Sequence, residues 1–135
     1  MPAAQVVLDS HALLAYFRDE PGAEFVERLL AKAAAADRPL HMTEVNYAEV
    51  KYTLIRKDGM TAWEDSASVL TGLPIEFHPA TRALADVAAA FKARYQLSLA
   101  DAFAAALAKE RKAELITGDP EFKALAKEIK IVWMK

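Results

Sequence analysis

Four acidic residues could do chemistry in this chain: Asp9, Glu49, Asp101 and Asp119, each in or just beyond an apolar segment. Asp101 is the sharpest case. Leu97 to Ala108 reads LSLADAFAAALA, with Ser98 and Asp101 as its only polar side chains. A helix that is apolar all round is a buried helix. An isolated buried carboxylate is costly unless it is paired or holds a metal. No Lys or Arg lies in that stretch to serve as a local partner. If the other three acids converge on Asp101, their repulsion adds to the cost, and a divalent cation with oxygen ligands relieves both.

The apolar pattern predicts the elements that would bring the four together. Short β-like runs fall at Val6–Leu8, Pro39–Met42, Pro74–Phe77, Glu114–Thr117 and Lys130–Trp133. Helical spacing marks 10–18, 22–36 (with Phe25, Leu29 and Ala33 on one stripe), 43–57, 61–71, 80–95 and 98–112. A short helix follows Pro120. Strands alternating with helices predict βαβ units and a parallel sheet covered on both faces, here as one domain over residues 1–135. In such sheets ligands bind beyond the carboxyl ends of the strands, where the strand order reverses. Asp9 directly follows the first strand, and Asp119 stands two residues past the end of the fourth. Glu49 lies about two turns into the helix leaving the second strand. Asp101 is in the first turn of a helix running antiparallel to the next strand, so all four can meet at one edge.

Each acid also has a plainer reading. Asp9 is placed to cap the helix that follows it. Ser98-x-x-Asp101 fits a capping box, and Asp119-Pro120 fits an N-cap followed by proline at the first helical position. Glu44 competes with Glu49, but beside Thr43 it looks like a first-turn acid favoured by the helix dipole. Convergence of the four, more than any one of them, points to a site.

Composition bounds the remainder. The chain has 135 residues, 54% of them hydrophobic, and a formal net charge of −2. That fits a globular domain with a real core. The absence of cysteine excludes disulfides, thiolate zinc sites and cysteine nucleophiles. MPAAQVVLDS lacks a leader pattern and no apolar run is long enough to span a bilayer, so a cytoplasmic location and no membrane association are expected. A net negative charge speaks against a basic nucleic-acid footprint. Setting the four acids aside leaves a remainder of +2. Lys51, Arg56, Lys57, Lys109, Arg111 and Lys112 are then candidates for phosphate contact, with an ordinary solvated helix face an equal reading for any one of them. His11, His41 and His78 are expected near the ends of the first three strands, where they read as ordinary strand-end histidines or as groups that could assist ligand binding or a proton transfer. Trp63 and Trp133 read as packing residues. The segment Ala23–Ala36 and the Val50/Leu54 side of the next helix carry surplus apolar surface that would suit a partner helix or a second copy.

VVLDSHALLAYF, MTEVNYAEVKYTL, LSLADAFAAALA and LITGDPEF, in this order over nearly the whole chain, resemble the successive motifs of the PIN domain, in particular of VapC-type toxins. The resemblance implies a PIN-like three-layer sandwich whose five-stranded parallel sheet has the order 3-2-1-4-5. It implies an endoribonuclease dependent on Mg²⁺ or Mn²⁺, with RNA as substrate, a small antitoxin protein as partner, and a homodimer. By motif, Asp9, Glu49, Asp101 and Asp119 match the catalytic, metal-binding quartet, and Ser10 and Thr117 match small hydroxyl positions beside it. His11 departs from the small polar residue of many relatives, and the fourth acid varies in role across the family. A housekeeping RNA-processing PIN nuclease and a non-catalytic PIN-like binding module are the alternatives; short length without an appended RNA-binding domain favours the toxin. A haloacid-dehalogenase phosphatase would need a second acid at His11, and a phosphoacceptor receiver would need paired acids after the first strand.

Overall fold

In a computed structural model, residues 4–134 are described; the leader reading of the first ten residues falls partly outside them. Five strands form one all-parallel sheet: β1 (Val6–Leu8), β2 (Leu40–Thr43), β3 (Ile75–His78), β4 (Glu114–Thr117) and β5 (Lys130–Trp133), in the spatial order β3-β2-β1-β4-β5. That is the order expected from the resemblance. Register is fixed by pairs such as Val7 with His41, Leu8 with Ile116, and Met42 with Phe77. Strands β2 and β3 each start and end one residue later than expected, because the prolines at 39 and 74 stand just before them and have no N–H for the ladder.

Both faces are covered, which is why the central strands are apolar on both sides. Alternation along β1 and β4 sends Leu8 and Ile116 to one face and Val7 and Leu115 to the other. The first face is packed by α1 (Ser10–Arg18), α2 (Ala23–Ala36), α3 (Glu44–Asp58) and α4 (Met60–Leu70) through Leu13, Val26, Leu30, Val50, Leu54 and Trp63. The second is packed by α5 (Arg82–Arg94), α6 (Leu99–Arg111) and a 3₁₀ helix (Pro120–Leu125) through Leu84, Phe91, Phe103, Leu107 and Phe122. Every residue of α6 from Ala100 to Ala108 is buried, as its composition requires.

Two expectations need correction. Val50 and Leu54 are buried to within 1% of complete, with this chain's own α1 and α4 packed against their helix, so they offer no surface to a partner. The α2 stripe is likewise rotated: Ala23, Val26, Leu30 and Ala33 are buried, while Phe25 and Leu29 are only partly so. The exposed large apolar side chains are instead Tyr52, Met60, Val69 and Leu99. Among the described residues no helix is long and apolar enough to cross a membrane.

Candidate active site

The strand order reverses at β1, between β2 and β4, and the carboxyl ends of β1 and β4 open into a cleft of about 320 Å³. Ser10, His11, Glu49, Ser98, Asp101, Asp119 and Glu121 line it. Each is positioned for a local reason; Asp9, fully buried, stands beside these lining residues rather than among them. Asp9 is the first residue past β1 and caps α1: one carboxylate oxygen accepts from the Ala12 N–H at 2.8 Å. Its other oxygen accepts from the Thr117 hydroxyl, at the end of β4. Thr117 Oγ1 in turn accepts the Asp119 N–H at 3.0 Å, so one hydroxyl ties both acids to the strand end. Asp119 caps the 3₁₀ helix through the Glu121 N–H at 2.9 Å. Capping and site roles therefore coincide at Asp9 and Asp119.

At Asp101 they separate. Ser98 Oγ caps α6 by accepting the Asp101 N–H at 3.1 Å. The reciprocal half of a capping box, from the Asp101 carboxylate to the Ser98 N–H, is absent among the described residues. The Asp101 carboxyl instead faces Asp119, close enough for the two to repel. One oxygen each from Asp101, Asp119 and Glu121 lie within 4.8 Å of one another. Glu49, half-buried on α3, lines the same cleft; Glu44 is exposed in the first turn of that helix.

The electrostatics follow from crowding. Asp9 is pushed up to about 7, first by burial and then by Asp119 and Glu49, against the lowering effect of its hydrogen bonds from Thr117 and Ala12. Asp101 is raised to about 8 by burial, by the Asp9 and Asp119 charges and by Glu49. Among the described residues no Lys, Arg or His forms an ion pair with any of Asp9, Glu49, Asp101, Asp119 or Glu121. An all-oxygen donor set with no cationic side chain, and with repulsion it cannot discharge internally, fits a hard divalent cation.

Ser10 and Thr117 are both buried beside Asp9. Ser10 belongs to a network that sequence reading did not single out. Asn46, fully buried at the start of α3, donates from Nδ2 to Ser10 Oγ at 2.9 Å and to the Ala100 carbonyl at 3.1 Å. Its backbone N–H donates to Thr43 Oγ1 at 3.0 Å, and Ser10 Oγ donates back to the Asn46 carbonyl at 3.3 Å. One amide thus locks together the first turns of α1, α3 and α6, the helices that carry Ser10, Glu49 and Asp101. Glu121 was also missed, although it stands within LITGDPEF; an acid just after an N-cap reads as an ordinary first-turn residue.

Other candidates are placed elsewhere. Lys109, Arg111 and Lys112 sit at the far end of α6, about 12–17 Å along the axis from Asp101. Arg111 Nε donates to Gln5 Oε1 at 2.6 Å, and Lys109 is 3.8 Å from Glu128, so these three do not face the cleft. Lys51 lies over the Trp63 ring and Arg56 over Tyr52, on the outer surface of α3. His11 is exposed on the cleft rim, where the missing side chain of Gly118 makes room for its ring. His41 and His78 are not at the cleft but contact each other and Glu76. Trp63 is buried against Tyr47, and Trp133 packs partly buried on the α5/α6 side. A larger hollow of about 470 Å³ opens at the opposite, amino edge of the sheet against Gln5, Leu40, His41 and Arg111.

A family model of the PIN domain matches residues 6–128, and the chain belongs to the PIN-domain family. Comparison with curated proteins finds no match. Among solved structures, a DNA-bound VapBC from Salmonella typhimurium is similar with a TM-score of 0.79 at 14% identity, over 98% of this chain and 100% of that one. VapBC2 from Rickettsia felis, bound to a DNA fragment from the promoter, gives 0.78 at 12% identity over 96% and 98%. VapC20 of Mycobacterium tuberculosis, a Sarcin-Ricin loop cleaving toxin, gives 0.70 at 18% identity over 89% and 94%. At these identities the likeness is one of fold.

Proposed function

We propose that this chain is a divalent-metal-dependent endoribonuclease, the toxin of a toxin–antitoxin pair. The observation that carries the reading is the meeting of Asp9, Glu49, Asp101 and Asp119 at one sheet edge, joined by Glu121, with two carboxyls raised by burial and mutual repulsion and no cationic side chain among them. Asp101, Asp119 and Glu121 would hold the ion, with Asp9 and Glu49 completing its negative surroundings. Mg²⁺ or Mn²⁺ bound there supplies charge against the scissile phosphate and lowers the pKa of water for in-line attack. Carboxylates only accept hydrogen bonds, so Glu49, the half-buried acid on the cleft wall, is placed to take a proton from the attacking water. Thr117 and Asn46 hold Asp9 and the three helix starts in position, so little has to reorganise during the reaction. Hydrolysis adds water across the phosphodiester, leaving a phosphate on one fragment and a hydroxyl on the other.

The toxin reading draws on the neighbours: VapBC assemblies and a toxin that cleaves the Sarcin-Ricin loop share this fold over nearly its whole length. It brings with it a small antitoxin that covers the acidic cleft with a basic side chain, a homodimer, and a cytoplasmic location beside the RNA. The purified protein is to be incubated with stem-loop and single-stranded RNAs with Mg²⁺, with Mn²⁺ and with EDTA. Cleavage that persists in EDTA, or in Asp9→Asn, overturns the metal mechanism. Expression alone should arrest growth and co-expression of an adjacent small gene should restore it. Normal growth under strong expression of active, folded protein would point to a housekeeping nuclease instead.

A further inference from the structure

His41 and Glu76 are opposite each other in the β2–β3 ladder, and His78 stands two residues beyond Glu76. Residues paired across a sheet, and residues two apart on one strand, share a face. The three side chains therefore project together from the α5/α6 face of the outer two strands. His41 Nδ1 lies 2.9 Å from His78 Nε2, and Glu76 Oε2 lies 3.1 Å from His78 Nε2 and 3.6 Å from His41 Nδ1. A point equidistant from these three atoms lies about 2 Å from each, which is the bond length of Zn²⁺ to imidazole nitrogen and carboxylate oxygen. None of the three lines the acidic cleft.

Hydrogen bonding fills this triangle in one protonation state alone, with a single N–H on His78 Nε2 shared between His41 Nδ1 and Glu76. Only one proton can lie between two ring nitrogens 2.9 Å apart, so one of them presents a lone pair toward the other and toward the carboxylate. His41 is 6% exposed and the His78 side chain 17%, whereas the Glu76 side chain is 53% exposed. Two buried walls and one open side leave room for a further ligand from solvent.

We propose that His41, Glu76 and His78 form a second metal site, separate from the acidic cleft, that takes one borderline divalent ion such as Zn²⁺. The two donor sets select differently: two imidazoles and one carboxylate favour Zn²⁺, while the all-oxygen cleft suits Mg²⁺. The ion ties the edge strand β3 to β2, and its open position faces solvent.

The test is calorimetric titration of the full chain with ZnCl₂ in millimolar Mg²⁺, for the parent, Asp101→Asn/Asp119→Asn, His78→Ala and Glu76→Gln. Circular dichroism checks the fold of each; Glu76→Gln, at an exposed position, keeps the comparison valid should His78→Ala unfold. Parent and acid double variant are expected to take up one equivalent, with affinity falling by at least about 10-fold in His78→Ala and Glu76→Gln. Co²⁺ in place of Zn²⁺ should give the parent a visible absorption band that Glu76→Gln weakens. No uptake by the parent, unchanged affinity in Glu76→Gln, or loss of uptake in the acid double variant overturns the site. None of these readouts depends on RNA cleavage.

Discussion

Asp101→Asn should make the metal-free protein more stable while abolishing its activity. In the unfolded chain Asp101 titrates near its ordinary 3.8; in the folded chain it is raised to about 8. Folding at neutral pH therefore requires this carboxyl to keep or regain a proton. Holding a proton on the group one pH unit above its ordinary pKa costs about 1.4 kcal/mol, and pH 7 lies roughly three above it, so the upper bound is about 4 kcal/mol. The cleft is open and Asp9 shares the same repulsion, so rearranged water and side chains take up much of it; a gain of about 1–2 kcal/mol is expected. Helix α6 keeps its cap, because Ser98 Oγ accepts from the backbone N–H of residue 101 whatever its side chain. For a chain of this length that gain raises Tm by about 3–10 °C. The sign fixes a second signature. A raised carboxyl pKa stabilises the fold below 3.8 and loses that contribution as pH rises toward 8, so the parent in EDTA should weaken across this window and the variant less steeply. Saturating Mg²⁺ should reverse the ranking, since a ligand that binds only the folded state raises the parent alone. Melting curves at pH 5 and pH 8, with EDTA and with Mg²⁺, supply the four numbers needed for each protein. A variant that melts below the parent in EDTA at pH 8, with the parental pH slope, refutes the crowding argument.

Asn46→Ala should cost about 2 kcal/mol in urea unfolding, because it strips Ser10, Thr43 and the Ala100 carbonyl of a buried partner, and cleavage should fall with it; a loss under about 0.5 kcal/mol with full activity would remove Asn46 from the site's support. Gly118→Ala places a methyl 2.8 Å from His11 Nε2 and 2.9 Å from Met134 Cε, so the His11 ring should swing away, seen as a shift of its imidazole resonances with a stability change under about 1 kcal/mol. Glu128, held at about 2 chiefly by Arg94 and Tyr95, contributes stability above its ordinary 4.5 that is lost as pH falls toward 2. Glu128→Gln should therefore flatten the acid limb of a pH–stability curve in that interval, and an unchanged limb would show the cluster to be inert.

The strands were legible because a parallel sheet buried on both faces writes itself as compact apolar runs; their order came from the motif resemblance, since apolar runs do not say which strands are neighbours. Asp101 was legible through contrast: one charge in a helix that is buried on every side. The parts that escaped are those decided by distant partners. Asn46 looks like any polar residue in an early helical turn; its role depends on Ser10 and Ala100, 36 and 54 residues away in sequence. Val50 and Leu54 look surplus in the local pattern, which does not reveal that α4 folds back over them through Trp63 and Leu70. The basic end of α6 seems near the acids by residue number, but a 13-residue helix carries it to the opposite, amino edge of the sheet.

The hydroxyl bridge from Thr117 to Asp9 spans 108 residues, and it has a consequence during synthesis. A ribosome that has released about the first hundred residues has made Asp9 and Glu49, but not the strand that seats beside β1 or the Asp119 and Glu121 that follow it. Closing so long a loop comes late, since its entropy is recovered only when β4 is available to pair. The growing chain therefore carries a disassembled cleft until β4 and the 3₁₀ helix after it emerge. On the proposed function, the nuclease site is not assembled around the emerging message or ribosome until β4, Asp119 and Glu121 have been made.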